Sequence, residues 1–149
     1  MKKILTLILT ISLLVCALAS CSIATPEKDS VGNVTFVIAT ETPQVYDVPL
    51  SLLSDEAGLL PVFEYLNEHN DVEYDVMGTM INGIGGLEND YEKGSYVYIY
   101  TSVEKDFDVS EYKMEIEYEG KTLVSSGVGF NEMTLVDGAI IYVGLISWG

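Results

Sequence analysis

The stretch DGAIIYVGLISWG, residues 137–149, joins an Asp-Gly turn to an apolar run that contains the only tryptophan, Trp148. Chain ends are usually polar and loosely held unless they are packed into the fold. Residues 139–148 are apolar at both odd and even positions, which is typical of a strand covered on both faces. The sequence therefore predicts a strand in the middle of a sheet, and not a membrane segment.

The segments before this run predict a sheet with one helix. An opening hairpin is expected from residues 34–40 and 44–53, and a second hairpin flanks Glu119-Gly120-Lys121. Residues 57–71 contain Pro61 in a first helical turn and then an apolar face, which indicates a helix of about two to three turns. The remaining expected strand segments are 72–78, 79–90 and 95–103. This order predicts an α+β fold, a β-grasp-like mixed sheet with one helix packed across it.

The N-terminus has the pattern of an export signal. Two lysines precede an apolar stretch that ends in Leu-Ala-Ser-Cys at residues 18–21, similar to the lipobox of bacterial lipoproteins. We expect residues 1–20 to be a signal peptide and Cys21 to carry lipid at the new N-terminus. An uncleaved membrane helix is the alternative, but about 15 apolar residues fall short of the roughly 20 that span a bilayer. A second alternative is a secreted protein cleaved near Ala24.

These boundaries place the protein outside the cytoplasm, held to a membrane by lipid. Residues 21–33 mix Pro, Gly, Ser and charges and predict a tether, and residues 34–149 form the domain. Cys16 leaves with the signal and Cys21 is occupied by lipid, so disulfides and thiol chemistry are not expected.

The composition excludes several classes of function. Two of the seven basic residues lie in the signal and all 23 acidic residues follow it, so the exported chain carries 5 − 23 = −18. Such a surface repels phosphate backbones, and no nucleic-acid partner is expected. One histidine, no free cysteine and no preferred pair of carboxylates predict a protein that is not an enzyme.

Four segments in order resemble a known family: GLLPVFEYLNEH, GTMINGIGG, GSYVYIYTS and SSGVGFNEMTLVDGAIIYVGLISW. They are similar to the transcobalamin-like C-terminal domain, a β-grasp domain of cobalamin carriers that also occurs in bacterial surface lipoproteins. The resemblance covers most of residues 34–149. It implies cobalamin, or another corrinoid, as a bound ligand, with no cofactor required.

The resemblance also implies which residues contact that ligand. By matched position they lie on the aromatic strand and in the loop before the last turn, and they are Tyr96, Val97, Tyr98, Ser126, Gly127, Val128, Gly129 and Phe130. Tyrosine offers flat apolar area with a polar tip, and glycine lets backbone N–H groups approach amides. The large helical domain of the carriers is missing from this chain, so a second protein could complete the site.

The same residues have structural interpretations. The stripe of Tyr96, Tyr98 and Tyr100 is either a ligand platform or the solvated face of a strand, and the glycines are either ligand contacts or turn residues. His69 is either an axial ligand of cobalt or a helix-end group, and residues 87–94 are either a calcium loop or an acidic turn. No metal site is expected.

Two functions therefore stay open. One is a lipid-anchored binding protein for a small ligand, with a corrinoid as the best choice. The other is a cell-surface protein-interaction or structural module that uses an exposed strand edge. The first requires Tyr96, Tyr98 and the 127–130 loop to converge on one concavity.

Overall fold

The computed structural model describes residues 26–148, and within them it contains one α-helix and two β-sheets. The helix, α1, spans Leu60–Asn70. The strands in chain order are β1 (Asn33–Ile38), β2 (Gln44–Pro49), β3 (Tyr74–Met77), β4 (Met80–Ile84), β5 (Leu87–Glu88), β6 (Ser95–Thr101), β7 (Glu115–Tyr118), β8 (Lys121–Ser125) and β9 (Ile140–Ser147). The predicted α+β class and mixed sheet are confirmed.

The larger sheet has six strands in the order β2-β1-β9-β6-β8-β7. β9 lies in its middle, parallel to β1 on one side and antiparallel to β6 on the other. The predicted central strand is thus confirmed. Both predicted hairpins, β1–β2 and β7–β8, also form, and Glu119 and Gly120 both have positive φ in the turn of the second.

Only the first half of β9 has a neighbour on each side. β1 ends at Ile38, which is opposite Val143, so the later residues pair with β6 alone. On this half the Leu145 side chain is 47% exposed, because the core that covers Ile141 and Val143 on the same face does not extend to it. The expectation of a strand apolar and covered along its whole length was therefore wrong for this second half.

Helix α1 packs across the larger sheet as predicted. Pro61 lies in its first turn, where the missing N–H removes no intrahelical bond. Phe63 and Leu66 are fully buried, and the Phe63 ring meets the Phe36 ring of β1 edge to face with centroids 5.9 Å apart. The helix ends where Asp71 takes a left-handed conformation.

A second sheet of three strands, β3-β4-β5, was not predicted as a separate unit. It covers the same face of the larger sheet as α1, and its Ile81, Ile84 and Leu87 enter the same core. The chain reverses at Gly85 and Gly86, which both have positive φ. A Cβ at Gly85 would lie 2.6 Å from a methyl group of Ile38, so this turn sits directly on β1.

The opposite face of the larger sheet carries a smaller apolar cluster. Tyr100, Leu123 and Ile140 are its buried members. Around them stand half-buried tyrosines in ring contact, with Tyr98–Tyr100 centroids 5.9 Å apart and Tyr118–Tyr142 centroids 5.6 Å apart.

The described part of the predicted tether lies against the domain. Asp29 N–H donates to the Leu135 carbonyl at 2.8 Å, and the Glu27 carboxylate pairs with Lys105 at 3.0 Å. Asn33, the last residue of the predicted tether, is the first residue of β1. The predicted signal peptide and Cys21 lie outside the described residues.

Candidate functional site

A cleft of about 260 Å³ lies along one edge of β6, between the two sheets. Its lining is mostly apolar and includes no Asp, Glu, Lys or His side chain. The lining residues are Thr79, Met80, Ile81, Asn89, Tyr96, Val97, Tyr98, Ile99, Ser126, Val128, Gly129, Phe130, Ile146 and Trp148. Apolar walls with a few polar groups are typical of small-molecule sites.

The structure brings the predicted contact residues together, with one exception. Tyr96, Val97 and Tyr98 lie on the cleft together with all of the predicted loop residues other than Gly127. Gly127 instead packs on the backbone of the preceding turn, where a Cβ would lie 2.8 Å from the Phe107 carbonyl oxygen. Gly127 therefore does not contact the cleft, but it allows the loop to pack closely on the 107–108 backbone.

The cleft exists because β6 lacks a neighbouring strand along part of one edge. β8 pairs with β6 only at Tyr100 and Thr101. At the other end, the Asn89 side-chain oxygen accepts the Val97 N–H at 2.7 Å, and Ser95 exchanges two hydrogen bonds with Asp90. The edge between these two closures is open.

Two backbone groups on this open edge face the cleft. The backbone N–H and carbonyl groups of the odd-numbered residues of β6 point away from β9, as the hydrogen bond from Ser126 N–H to the Ile99 carbonyl shows. Neither the Val97 carbonyl nor the Ile99 N–H has a partner among residues 26–148. The cleft therefore offers one free acceptor and one free donor, set two residues apart.

The loop that forms the opposite wall is held by internal hydrogen bonds. The Ser126 hydroxyl donates to the Val128 carbonyl at 2.8 Å, and Gly127 N–H donates to the Asp106 carbonyl at 2.8 Å. The buried Asp106 carboxylate accepts from the N–H and the hydroxyl of Thr134, at 2.7 and 2.9 Å. Because each end of the loop is fixed, Val128 and Phe130 are held against the cleft.

The tyrosine stripe divides between two environments. Tyr96 lines the cleft and is in edge contact with Tyr91, at 5.8 Å between ring centroids. Tyr98 borders the cleft and also joins the cluster on the far face, to which Tyr100 belongs. Burial raises the pKa of Tyr98 and of Tyr100, and the Asp108 charge adds to the effect at Tyr98. Tyr100 is 6% exposed and does not line the cleft, so it is neither a ligand contact nor part of a solvated face, and both interpretations of the stripe were wrong for this residue.

The sequence did not identify several residues of the cleft. Met80 and Ile81 come from the small sheet, Asn89 follows it, and Ile146 and Trp148 come from the end of β9. No local pattern marks them, because the fold alone brings the small sheet over β6. The sequence did mark Trp148 as an unusual terminal residue. Trp148 lines the cleft and is 59% exposed, and its backbone N–H donates to the Gly94 carbonyl.

The alternative metal ligands lie elsewhere. His69 is at the end of α1, where its Nδ1 lies 2.9 Å from the Tyr65 carbonyl and its ring stacks on Tyr65. In the acidic turn, Asp90 pairs with Lys93 at 2.9 Å, and this contact lowers the pKa of Asp90. Among residues 26–148 there is no group of three or more His, Cys, Asp or Glu side chains placed to hold a metal.

Membrane contact was expected through lipid on Cys21, which the structure does not describe. Within residues 26–148, no helix has the length and apolar character needed to cross a bilayer.

Comparison with known proteins identifies the fold. No protein-family model and no curated protein matches the sequence. The crystal structure of haptocorrin in complex with Cbi matches with a TM-score of 0.53 and 14% identity, over 79% of this chain and 25% of haptocorrin. A crystal structure from Ruminococcus gnavus ATCC 29149, of a protein to which metal binding has been attributed, matches with a TM-score of 0.48 and 14% identity, over 79% of this chain and 99% of that protein. The chain thus spans about a quarter of haptocorrin and is similar in fold to that part of it.

Proposed function

We propose that this protein is a lipid-anchored, extracytoplasmic binding protein that holds a corrinoid in the cleft along β6. The observation that carries the proposal is the convergence of the predicted strand and loop residues on one concavity. The likeness of fold to a protein crystallised with Cbi adds support of a general kind. The role is one of binding and not of catalysis.

The chemistry of the cleft suits such a ligand. A corrin is a broad apolar ring fringed with amides, and an amide both donates and accepts a hydrogen bond. The free Val97 carbonyl and Ile99 N–H supply the matching pair, while Val128 and Trp148 supply apolar contact. A backbone pair also carries no charge, which suits a neutral amide better than a carboxylate or a phosphate.

The size of the cleft bears on how much of the ligand is held. Its volume of about 260 Å³ lies just below the range of roughly 300–1,000 Å³ usual for small-molecule sites. A corrin ring would therefore enter by one edge and leave its other side outside the cleft. That outer side is where a second protein would complete the site.

The test is a calorimetric titration of the full chain with cobinamide. We expect saturable binding with a Kd in the micromolar range or tighter, about −8 kcal/mol or better. Tyr98→Ala should weaken binding at least tenfold, because Tyr98 borders the cleft. Tyr118→Ala is the matched control, since Tyr118 is half-buried in the same tyrosine cluster but does not line the cleft.

Absence of heat at high cobinamide concentration, or equal loss of affinity in the two variants, would contradict the proposal. Each variant is first checked for cooperative unfolding, so that a folding defect is not mistaken for a lost contact.

One observation supports the second candidate function, a protein-interaction module. Beyond Val143, the edge of β9 that faces β1 has no hydrogen-bonded strand among the described residues, and Leu145 is exposed on this half of β9. An extended segment of another protein could add to this edge. Leu145→Lys would abolish capture of such a partner and leave cobinamide binding intact, whereas loss of cobinamide binding in this variant would argue against two separate surfaces.

A further inference from the structure

We infer that the cleft lies in the half of the domain that points away from the membrane, so that its ligand arrives from the aqueous side and is not a lipid drawn from the bilayer. This inference rests on the proposed function, namely on lipid at Cys21 and on ligand in the cleft along β6.

The first step is where the chain joins the domain. The Glu27 carboxylate pairs with Lys105, which follows the end of β6, and Asp29 N–H donates to the Leu135 carbonyl. Asn33, at the start of β1, accepts the Gly138 N–H just before β9 begins. The described start of the chain is therefore fixed at the end of the sheet where β1 and β9 begin.

The second step is where the cleft lies on the same sheet. β1 and β9 are parallel, so β9 runs away from this end and reaches Trp148 at the other. β6 is antiparallel to β9, which places Ser95 beside Ser147 at that far end. The cleft extends along β6 from Ile99, which is opposite Val143 in the middle of β9, to Trp148. Trp148 lies ten residues beyond Gly138, and at about 3.3 Å per residue the separation is about 30 Å.

The third step is the reach of the anchor. Cys21 is six residues before Glu27, and six residues extend to about 20 Å at most. If the domain were inverted, with Trp148 on the bilayer, the anchor would have to span the separation of about 30 Å. The chain is too short for that orientation.

The net charge of the exported chain favours the same orientation of the domain. The exported chain has a net charge of 5 − 23 = −18, and anionic lipid headgroups repel such a surface within about a Debye length. A domain lying on its side would bring more of this surface to the headgroups than a domain standing on its anchored end. The upright orientation is favoured, with Trp148 at the outer end.

The orientation limits the kind of ligand. A lipid leaving the bilayer would have to travel about half the length of the domain to reach the cleft, whereas a dissolved molecule meets the cleft directly. The ligand class is therefore a water-borne amphiphile, with an apolar body for the walls and an amide-like group for Val97 and Ile99. A second protein that completes the site would likewise approach from the outer side.

Trp148 allows a direct test, because it is the only tryptophan in the chain. The lipidated full chain is bound to phosphatidylcholine–phosphatidylglycerol vesicles that carry a nitroxide-labelled lipid, and tryptophan fluorescence is recorded. The comparison protein carries Val31→Trp and Trp148→Phe, which moves the tryptophan to a position that is 71% exposed beside the start of the chain. Co-flotation with the vesicles is measured in parallel.

We expect both proteins to float with the vesicles, strong quenching at position 31 and less than a tenth of that quenching at Trp148. Equal quenching at the two positions in floating protein would overturn the orientation and leave the anchor standing. A chain that does not float would overturn the anchor and the orientation together, and cobinamide titration of that same sample would show whether the binding function survives alone.

Discussion

Asp106 shows, at the scale of a single residue, how a buried carboxyl group supports the site. Its carboxylate is 4% exposed and accepts two hydrogen bonds from Thr134. We predict that Asp106→Ala lowers the free energy of unfolding by about 2–3 kcal/mol, because two donors lose their acceptor inside the protein. Urea unfolding at neutral pH measures the change. Glu104→Ala, an exposed residue of the same turn, should stay within about 0.5 kcal/mol of the unaltered protein; a similar loss in both variants would contradict this role.

Tyr100 gives a prediction on pH. Burial raises the pKa of Tyr100 in the folded state, so the unfolded chain releases this proton first, and stability falls as the pH rises above about 10. The contribution is fully present below that pH. Tyr100→Phe should therefore flatten the decline in unfolding free energy between about pH 9 and pH 11. Tyr112→Phe, at a ring that is 73% exposed, is the control, and an unchanged slope in Tyr100→Phe would refute the assignment.

The 126–130 loop is the element on which the site depends. Gly127 has no room for a Cβ, since the Phe107 carbonyl oxygen and the Asp108 Cα would lie 2.8 and 3.0 Å away. We predict that Gly127→Ala destabilises the protein by about 1–3 kcal/mol and weakens cobinamide binding, because the loop must move. Gly120→Ala at the β7–β8 turn should also lower stability, because alanine is strained at a φ of +76°. Gly120 does not line the cleft, so this variant should keep full affinity for cobinamide. Unchanged binding in Gly127→Ala would show that the loop does not shape the cleft.

Elements with a strong local pattern could be predicted, and those fixed by tertiary contact could not. α1 follows from Pro61 and its apolar face, and β9 follows from its continuous apolar run. The separate sheet β3-β4-β5 depends on how Gly85 sits against Ile38, a contact between distant parts of the chain. For the same reason the strand and loop residues of the site came from a resemblance, whereas Asn89, Met80 and Ile81 became visible only in the fold.

At the scale of the whole molecule, the net charge sets the response to salt. Only three ion pairs, all exposed, form among residues 26–148, so repulsion between carboxylates dominates. We predict that raising sodium chloride from about 20 to 200 mM increases Tm by a few degrees, because salt screens that repulsion. Differential scanning calorimetry measures this change in Tm. The buffers contain no sucrose, because that osmolyte raises stability by itself. A lower Tm in salt would mean that attractive pairs outweigh the repulsion.

The most direct test of the central claim is the exchange rate of the Ile99 amide hydrogen, followed by NMR on the full chain in phosphatidylcholine nanodiscs with and without cobinamide. The Ile99 N–H is free on the open edge of β6, whereas the neighbouring Val97 N–H already donates to Asn89. If a ligand amide occupies this edge, Ile99 exchange slows at least tenfold at saturating cobinamide while that of Val97 changes little. Equal exchange of the Ile99 amide with and without cobinamide would show that the cleft does not bind this ligand through its open strand edge.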